Sequence, residues 1–176
     1  MQVWKLDCDS NNYEGFNIVD GDWNELIEKF GGNSLLNNWQ AIKIKPYELA
    51  PRSDAPTFIA AAPLFSAKAV DVLRPIISNF VEILPTEFIR EDYFIINVLN
   101  VLNCVDYDSS SIVKYRSGRI MRFEKYEFFP EIVDQQHIFK ITDISRQAVF
   151  VSSEFKEEVI KSGLTGFRFE EVWSSQ

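Results

Sequence analysis

Pro63-Leu64-Phe65-Ser66, followed by Ala67 to Ile77 and then Val81-Glu82-Ile83, carries the strongest architectural signal in the chain. It aligns without a gap, 86 residues further on, with Val149-Phe150-Val151-Ser152, then Ser153 to Gly163, then Phe167-Arg168-Phe169. In each copy a short apolar strand runs into a serine placed to cap a helix. The helix lasts about three turns and an alternating strand follows. Each copy therefore reads as a strand-helix-strand unit. Such units share patterning for physical reasons alone, so a true duplication and a chance likeness both remain open, and the spacing is not that of a solenoid.

The helical periodicity within each copy predicts which side faces inward. Phe155, Val159 and Ile160 are expected against the core, with Glu154, Lys156, Glu157, Glu158 and Lys161 outside and Gly163 as the stop. In the first copy Ala69, Val70, Leu73 and Ile77 point inward, and Pro75 should distort or shorten the helix.

The segment between the copies is rich in strands: Tyr93 to Val98, Val101 to Tyr107, Ser111 to Tyr115 and Arg119 to Phe129. Tyr115-Arg116-Ser117-Gly118-Arg119-Ile120 has the turn chemistry of a hairpin, with Gly118 free to take a positive φ. Upstream, Trp23, Leu26, Ile27 and Phe30 recur at helical spacing. Asp22 can cap that helix, with Glu25 three residues on, and Gly31-Gly32 stops it. Trp39 to Ile44 alternates imperfectly, as a half-buried strand ended by Pro46 would, and residues 50–56 read as a loop setting off an N-terminal lobe. These signals give an α+β fold: a mixed, largely antiparallel sheet with few helices and two similar strand-helix-strand units. A single domain over residues 1–176 is expected, with residues 1–50 as an N-terminal elaboration.

Composition narrows the function. The 26 acidic and 18 basic residues leave a formal net charge of −8, unsuited to tracking a phosphate backbone and suited to steering a basic protein partner. No apolar run reaches the roughly 20 residues that cross a bilayer, and Met1 to Asp9 lacks the basic and apolar regions of a signal peptide. A cytoplasmic protein with neither nucleic acid nor membrane as partner is expected. Cys8 and Cys104 lack metal-ligand or redox spacing and read as reduced, small apolar side chains.

Chemistry-bearing patterns are sparse. His137 is the sole histidine, without a second histidine or a nearby cysteine at ligand spacing, and no nucleophile-elbow signature supports a Ser-His-Asp arrangement. Gly31-Gly32-Asn33-Ser34 lacks the lysine and the glycine spacing of a phosphate loop. Neither a cofactor nor a metal is implied. Adjacent carboxylates occur at Asp7/Asp9, Glu91/Asp92, Asp106/Asp108 and Glu170/Glu171, as solvated faces would supply them. Asp106-Tyr107-Asp108 stands out because a rigid aromatic between two carboxylates at a strand end suits an interface with a basic surface. With 14% aromatic residues, Phe128-Phe129 and Trp173 need not all fit inside, which makes them candidates for an exposed anchor patch.

Two segments carry a family likeness. Ala148-Val149-Phe150-Val151-Ser152-Ser153-Glu154-Phe155 is one, and Ser162-Gly163-Leu164-Thr165-Gly166-Phe167-Arg168-Phe169-Glu170-Glu171-Val172-Trp173 is the other. Together they resemble the closing segment of a bacterial polymorphic-toxin immunity family of the myxobacterial type, formerly a domain of unknown function. The likeness extends to Pro63-Leu64-Phe65-Ser66 and to Tyr93 through Asp106, covering roughly residues 55–173.

The resemblance implies a cytoplasmic, non-enzymatic protein of interbacterial competition, made beside an effector delivered by contact-dependent or type VI secretion. It would bind and neutralise a cognate toxin stoichiometrically, a role that asks for shape and charge complementarity. Asp106, Tyr107, Asp108, Glu170, Glu171 and Trp173 are the candidate contact residues. The alternatives at this point are an enzyme that reverses toxin damage, using Asp106 and Asp108 as acid and base, and an effector adaptor or structural protein.

Overall fold

Both serines at the strand-helix junctions cap helices. In the computed structural model, which describes residues 1–175, Ser66 Oγ accepts the Ala69 N–H at 3.1 Å and Ser152 Oγ accepts the Phe155 N–H at 3.2 Å. Each serine thereby satisfies one of the donors that a helix start leaves unpaired.

The chain runs β1 (Gln2–Cys8), β2 (Phe16–Ile18), α1 (Trp23–Lys29), β3 (Ile42–Pro46), β4 (Leu64–Ser66), α2 (Ala67–Ile77), β5 (Val81–Glu87) and β6 (Tyr93–Val98). It continues with β7 (Val101–Leu102), β8 (Ser111–Lys114), β9 (Ile120–Lys125), α3 (Pro130–Val133), β10 (Ile138–Ile141), β11 (Val149–Ser152), α4 (Ser153–Lys161) and β12 (Phe167–Ser174). The strands form two five-stranded sheets, β12-β1-β11-β10-β7 and β2-β3-β5-β6-β4, and a separate β8-β9 hairpin. Mixed α+β architecture with mostly antiparallel pairing is the result.

The two strand-helix-strand units have the same topology. β4 and β5 both lie antiparallel to β6, and β11 and β12 both lie antiparallel to β1. Each helix thus joins two parallel strands across an antiparallel one. In the first unit that middle strand, β6, follows directly; in the second it is β1, from the other end of the chain. The opening strand of the expected N-terminal elaboration is consequently an interior strand of the C-terminal sheet, while β2, α1 and β3 extend the other sheet.

β6 and β11 are buried on both faces. Val149 and Val151 of β11 and Ile96 and Val98 of β6 face a layer containing Leu73, Ile77, Phe155 and Val159 from α2 and α4. The intervening Phe150 faces a second core with Phe128, Phe139 and Trp173 beneath the β8-β9 hairpin and α3. Tyr93 and Ile95 face a third, with Leu26 of α1 and Phe30, which caps that helix at its C-terminal end. Each such large side chain contributes about 1.5–3 kcal/mol when fully buried.

Several local expectations shift. Ile160 is 63% exposed: Phe155 and Val159 lie one turn apart on the buried face, and Ile160 lies about 100° further round the helix. Pro75 leaves the helix intact to Ile77, because Pro75 and Asp71 both lie on the solvent side, where water replaces the missing backbone bond. The strand expected over Trp39 to Ile44 runs over Ile42–Pro46 instead, and Trp39 closes a 3₁₀ turn and donates from Nε1 to Pro85 O at 2.9 Å. The strand expected from Val101 to Tyr107 stops at Leu102, leaving one isolated bridge between Val105 and Phe128.

Two cations join the sheets. Lys140 of β10, fully buried, donates from Nζ to Phe30 O at 2.7 Å, at the C-terminal end of α1. Arg146 Nε lies 3.1 Å from Glu28 O and 3.2 Å from the Glu28 carboxylate. A cation on β10 and one in the β10–β11 connection therefore meet the unpaired carbonyls at the end of a helix packed on the second sheet. Burial, with a smaller push from Arg146, lowers the Lys140 ammonium to about 8.

Candidate functional site

Beyond β7 the buried pair Cys104-Val105 delivers the chain to Asp106, whose N–H donates to Glu127 O at 2.9 Å. The Asp106 carboxylate then accepts the Ser109 hydroxyl at 2.8 Å, the Asp108 N–H at 3.1 Å and the Ser109 N–H at 3.3 Å. This is an Asx-type turn, in which a short carboxylate side chain pairs with backbone groups just downstream. The Ser109 hydroxyl first, then the two amides, hold the carboxyl below its ordinary range against partial desolvation. Asp106 therefore braces the loop.

Tyr107 and Asp108 are what the loop presents. Tyr107 is 44% exposed and its hydroxyl donates to the Asp143 carboxylate. Burial of the ring edge, with that carboxylate adding to it, pushes the phenol up to about 12, so it stays a neutral donor. Asp108 is exposed, and its carboxylate makes no hydrogen bond or ion pair among the described residues.

The neighbouring segment, Tyr126-Glu127, links this loop to β12. Glu127 exchanges bonds with the Ser110 hydroxyl, and its carboxylate takes Lys125 Nζ at 2.7 Å and Trp173 Nε1–H at 2.8 Å. Lys125 first and Trp173 second keep the Glu127 carboxyl below its usual range. Trp173 is only 7% exposed and meets Phe128 edge to face at 5.7 Å. The structure thus corrects the expected anchor patch: Trp173 and Phe128 are core residues and Phe129 remains exposed. Trp173 reaches the surface only by orienting Glu127.

The remaining pair divides. Glu170 stands opposite Lys5, 3.6 Å from its ammonium, and its charge adds to the burial that pushes the Tyr126 phenol up to about 12. Glu171 stands opposite Trp4, and as its strand neighbour it points to the other face, toward α4. Asp106, Tyr107, Asp108 and Glu170 are thereby brought into one region through Tyr126-Glu127, and Glu171 is sent elsewhere. Asp143 and Glu127 were not among the candidates; each belongs to the region through contacts 36 and 46 residues apart in sequence, which no local pattern reveals.

His137 lies in a shallow hollow of about 230 Å³ beside Ser152 and Glu154. Its Nδ1 is 3.2 Å from Ser152 Oγ and 3.5 Å from the Glu154 carboxylate. A Ser-His-acid relay needs one ring nitrogen toward the serine and the other toward the acid. Here both partners share one nitrogen, and Ser152 Oγ also caps α4.

The Gly163-Leu164-Thr165-Gly166 turn has a structural account at every position. Gly163 ends α4 at φ +62°, Leu164 enters the core shared by α2 and α4, and Gly166 sits at φ +83°. Asp54 receives the Thr165 N–H at 2.9 Å and the Ser66 hydroxyl at 2.7 Å. One carboxylate so ties the start of α2 to the turn after α4.

Among the described residues, no cluster of three or more His, Cys, Asp or Glu side chains is placed to hold a metal, and no helix is long and apolar enough to cross a membrane. Residues 86–174, 89 of 176, match a family model described as an immunity protein family, Imm11. The match contains the Asp106 loop and the whole second unit; Pro63-Leu64-Phe65-Ser66 and α2 precede it. No curated protein matches the chain.

Proposed function

The chain belongs to the Imm11 immunity protein family, and on that premise we propose that it binds and neutralises one cognate toxin in the cytoplasm as a stoichiometric inhibitor. The observation that carries this reading is the family match lying over a surface loop built for contact. Tyr107 supplies rigid exposed area, Asp108 an unpaired carboxylate, and Asp143 and Glu170 further negative charge around them. Such a surface complements a basic partner and accelerates its association.

The reading is tested by mixing the purified chain with its toxin and measuring residual toxin activity against molar ratio. Inhibition that saturates at one chain per toxin, together with a complex that survives gel filtration, is the expected result. Recovery of activity by substoichiometric chain, without any complex, would sink it. The surface has its own test. Reversing Asp108, Asp143 and Glu170 to lysine should slow association about tenfold or more at low salt and much less at high salt. An unchanged association rate removes these residues from the interface.

A further inference from the structure

The β2-β3-β5-β6-β4 sheet is only partly covered on the face toward α2. Val81 and Ile83 of β5 pack in the α2 layer, and alternation places Glu87 on the same face. Lys43 pairs with Glu87 in register, so Lys43 and Lys45 share that face, while Ile42, Ile44 and Leu84 turn to the layer beneath α1. Over this end of the sheet lies an open groove of about 900 Å³, lined by Val19, Pro46, Leu49, Phe88 and Ile89.

Two features of the groove have no role in the fold. Leu49 and Ile89, on the loops after β3 and β5, are 104% and 103% exposed, as open to water as in an extended chain. Both side chains are apolar contact area that the fold leaves in water. Lys43, Lys45 and Arg90 also line the groove, and none forms a salt bridge among the described residues. Three cations against the single carboxylate of Glu87 make this patch positive on a chain whose net charge is −8.

We propose that this groove docks an amphipathic, acidic helix of the toxin partner, its apolar stripe on Leu49, Ile89 and Val19 and its carboxylates toward Lys43, Lys45 and Arg90. A helix is the occupant because what stands open is a sheet face, and at the other end of β5 the same face is covered by a helix, α2. An apolar stripe laid in a groove with charged flanks is a recurrent mode of peptide recognition. The charge sign selects acidic flanks, since a basic helix would meet three unpaired cations. The proposal rests on the immunity reading for the identity of the partner, and the groove's chemistry is testable without the toxin.

The probe is an acetylated peptide of about fifteen residues with leucine at i, i+3, i+4 and i+7 and glutamate elsewhere, titrated into the full ¹⁵N-labelled chain. Saturable shifts confined to Val19, Lys43, Lys45, Leu49, Ile89 and Arg90 are expected. Affinity should fall about tenfold in Leu49→Asp/Ile89→Asp and in Lys43→Glu/Lys45→Glu. All four positions are exposed, so the variants should melt as the wild type does. Shifts centred elsewhere, absence of saturable binding, or equal binding of the same peptide with lysine for glutamate overturns the proposal. So does full toxin neutralisation by Leu49→Asp/Ile89→Asp, which would leave the immunity reading intact. Failure of the wild-type chain to bind any toxin would strike that reading instead, without bearing on the peptide result.

Discussion

Replacing Gly166 with alanine lowers the stability of the fold by about 3 kcal/mol, the sum of two costs that a second variant separates. Gly166 adopts φ +83°, where a side chain strains the backbone by about 1–2 kcal/mol. A Cβ there would also overlap the Ser53 hydroxyl and stand 2.8 Å from Ala55 O. Ser53 is buried and the second obstacle is backbone, so neither yields without moving the 53–55 loop. That loop carries Asp54, and moving it disturbs the bonds from Ser66 and Thr165 that join the two units. Gly118 has the same φ of +83° but open space where a Cβ would go, so Gly118→Ala should show the strain alone. For a chain of this size Gly166→Ala should melt roughly 10 °C below wild type. Chemical denaturation of both variants checks this. If Gly166→Ala lost no more than Gly118→Ala, the contact with the 53–55 loop would not be made.

The second large effect is a pH dependence written into Lys140. Its ammonium is lowered to about 8 by burial, against an ordinary value of 10.5. Between those two values the unfolded chain holds a proton that the folded chain has released, so stability rises with pH across that window. The full gain corresponds to about 3 kcal/mol and is complete above the unfolded value. The thiols of Cys8 and Cys104, both pushed up to about 12 by burial, act in the opposite sense once the unfolded thiols ionise near 9. For that reason the informative quantity is the difference between wild type and Lys140→Met, in which the cysteine contributions cancel. Denaturant titrations from pH 7 to 10.5 should show that difference moving toward the wild type by about 3 kcal/mol. A difference independent of pH would mean that Lys140 stays protonated in the folded protein. The methionine variant also leaves Phe30 O without its Nζ donor, which shifts the whole curve but adds no slope.

What could be read from the residues was local. Ser66, Ser152 and Asp22 were recognisable as caps because capping depends on one side chain and an amide three residues away. The β8-β9 turn was recognisable because Gly118 sits where the backbone needs positive φ. The likeness of the two strand-helix-strand units was visible because each is contiguous. Pairing between distant segments leaves no such trace. Nothing in Gln2–Cys8 announces that it will lie between β11 and β12, since the ladder is made by backbone N–H and C=O groups that every residue carries.

The same division holds for the surface. Asp106-Tyr107-Asp108 stood out as a short motif, and the loop it forms is closed by bonds within a few residues of Asp106. That Trp173 turns inward to orient Glu127, that Asp143 holds Tyr107, and that Leu49 and Ile89 are left in the open were invisible in the chain. Each depends on which elements come together in space. Local patterning therefore suffices for caps, turns and most of the inward side of each helix, with Ile160 as the exception, because those energies are settled within one or two turns of backbone. Sheet order, the burial of a given aromatic and the exposure of a groove follow from packing among segments up to the length of the chain apart, where the hydrophobic driving force is non-directional and geometry alone selects the outcome.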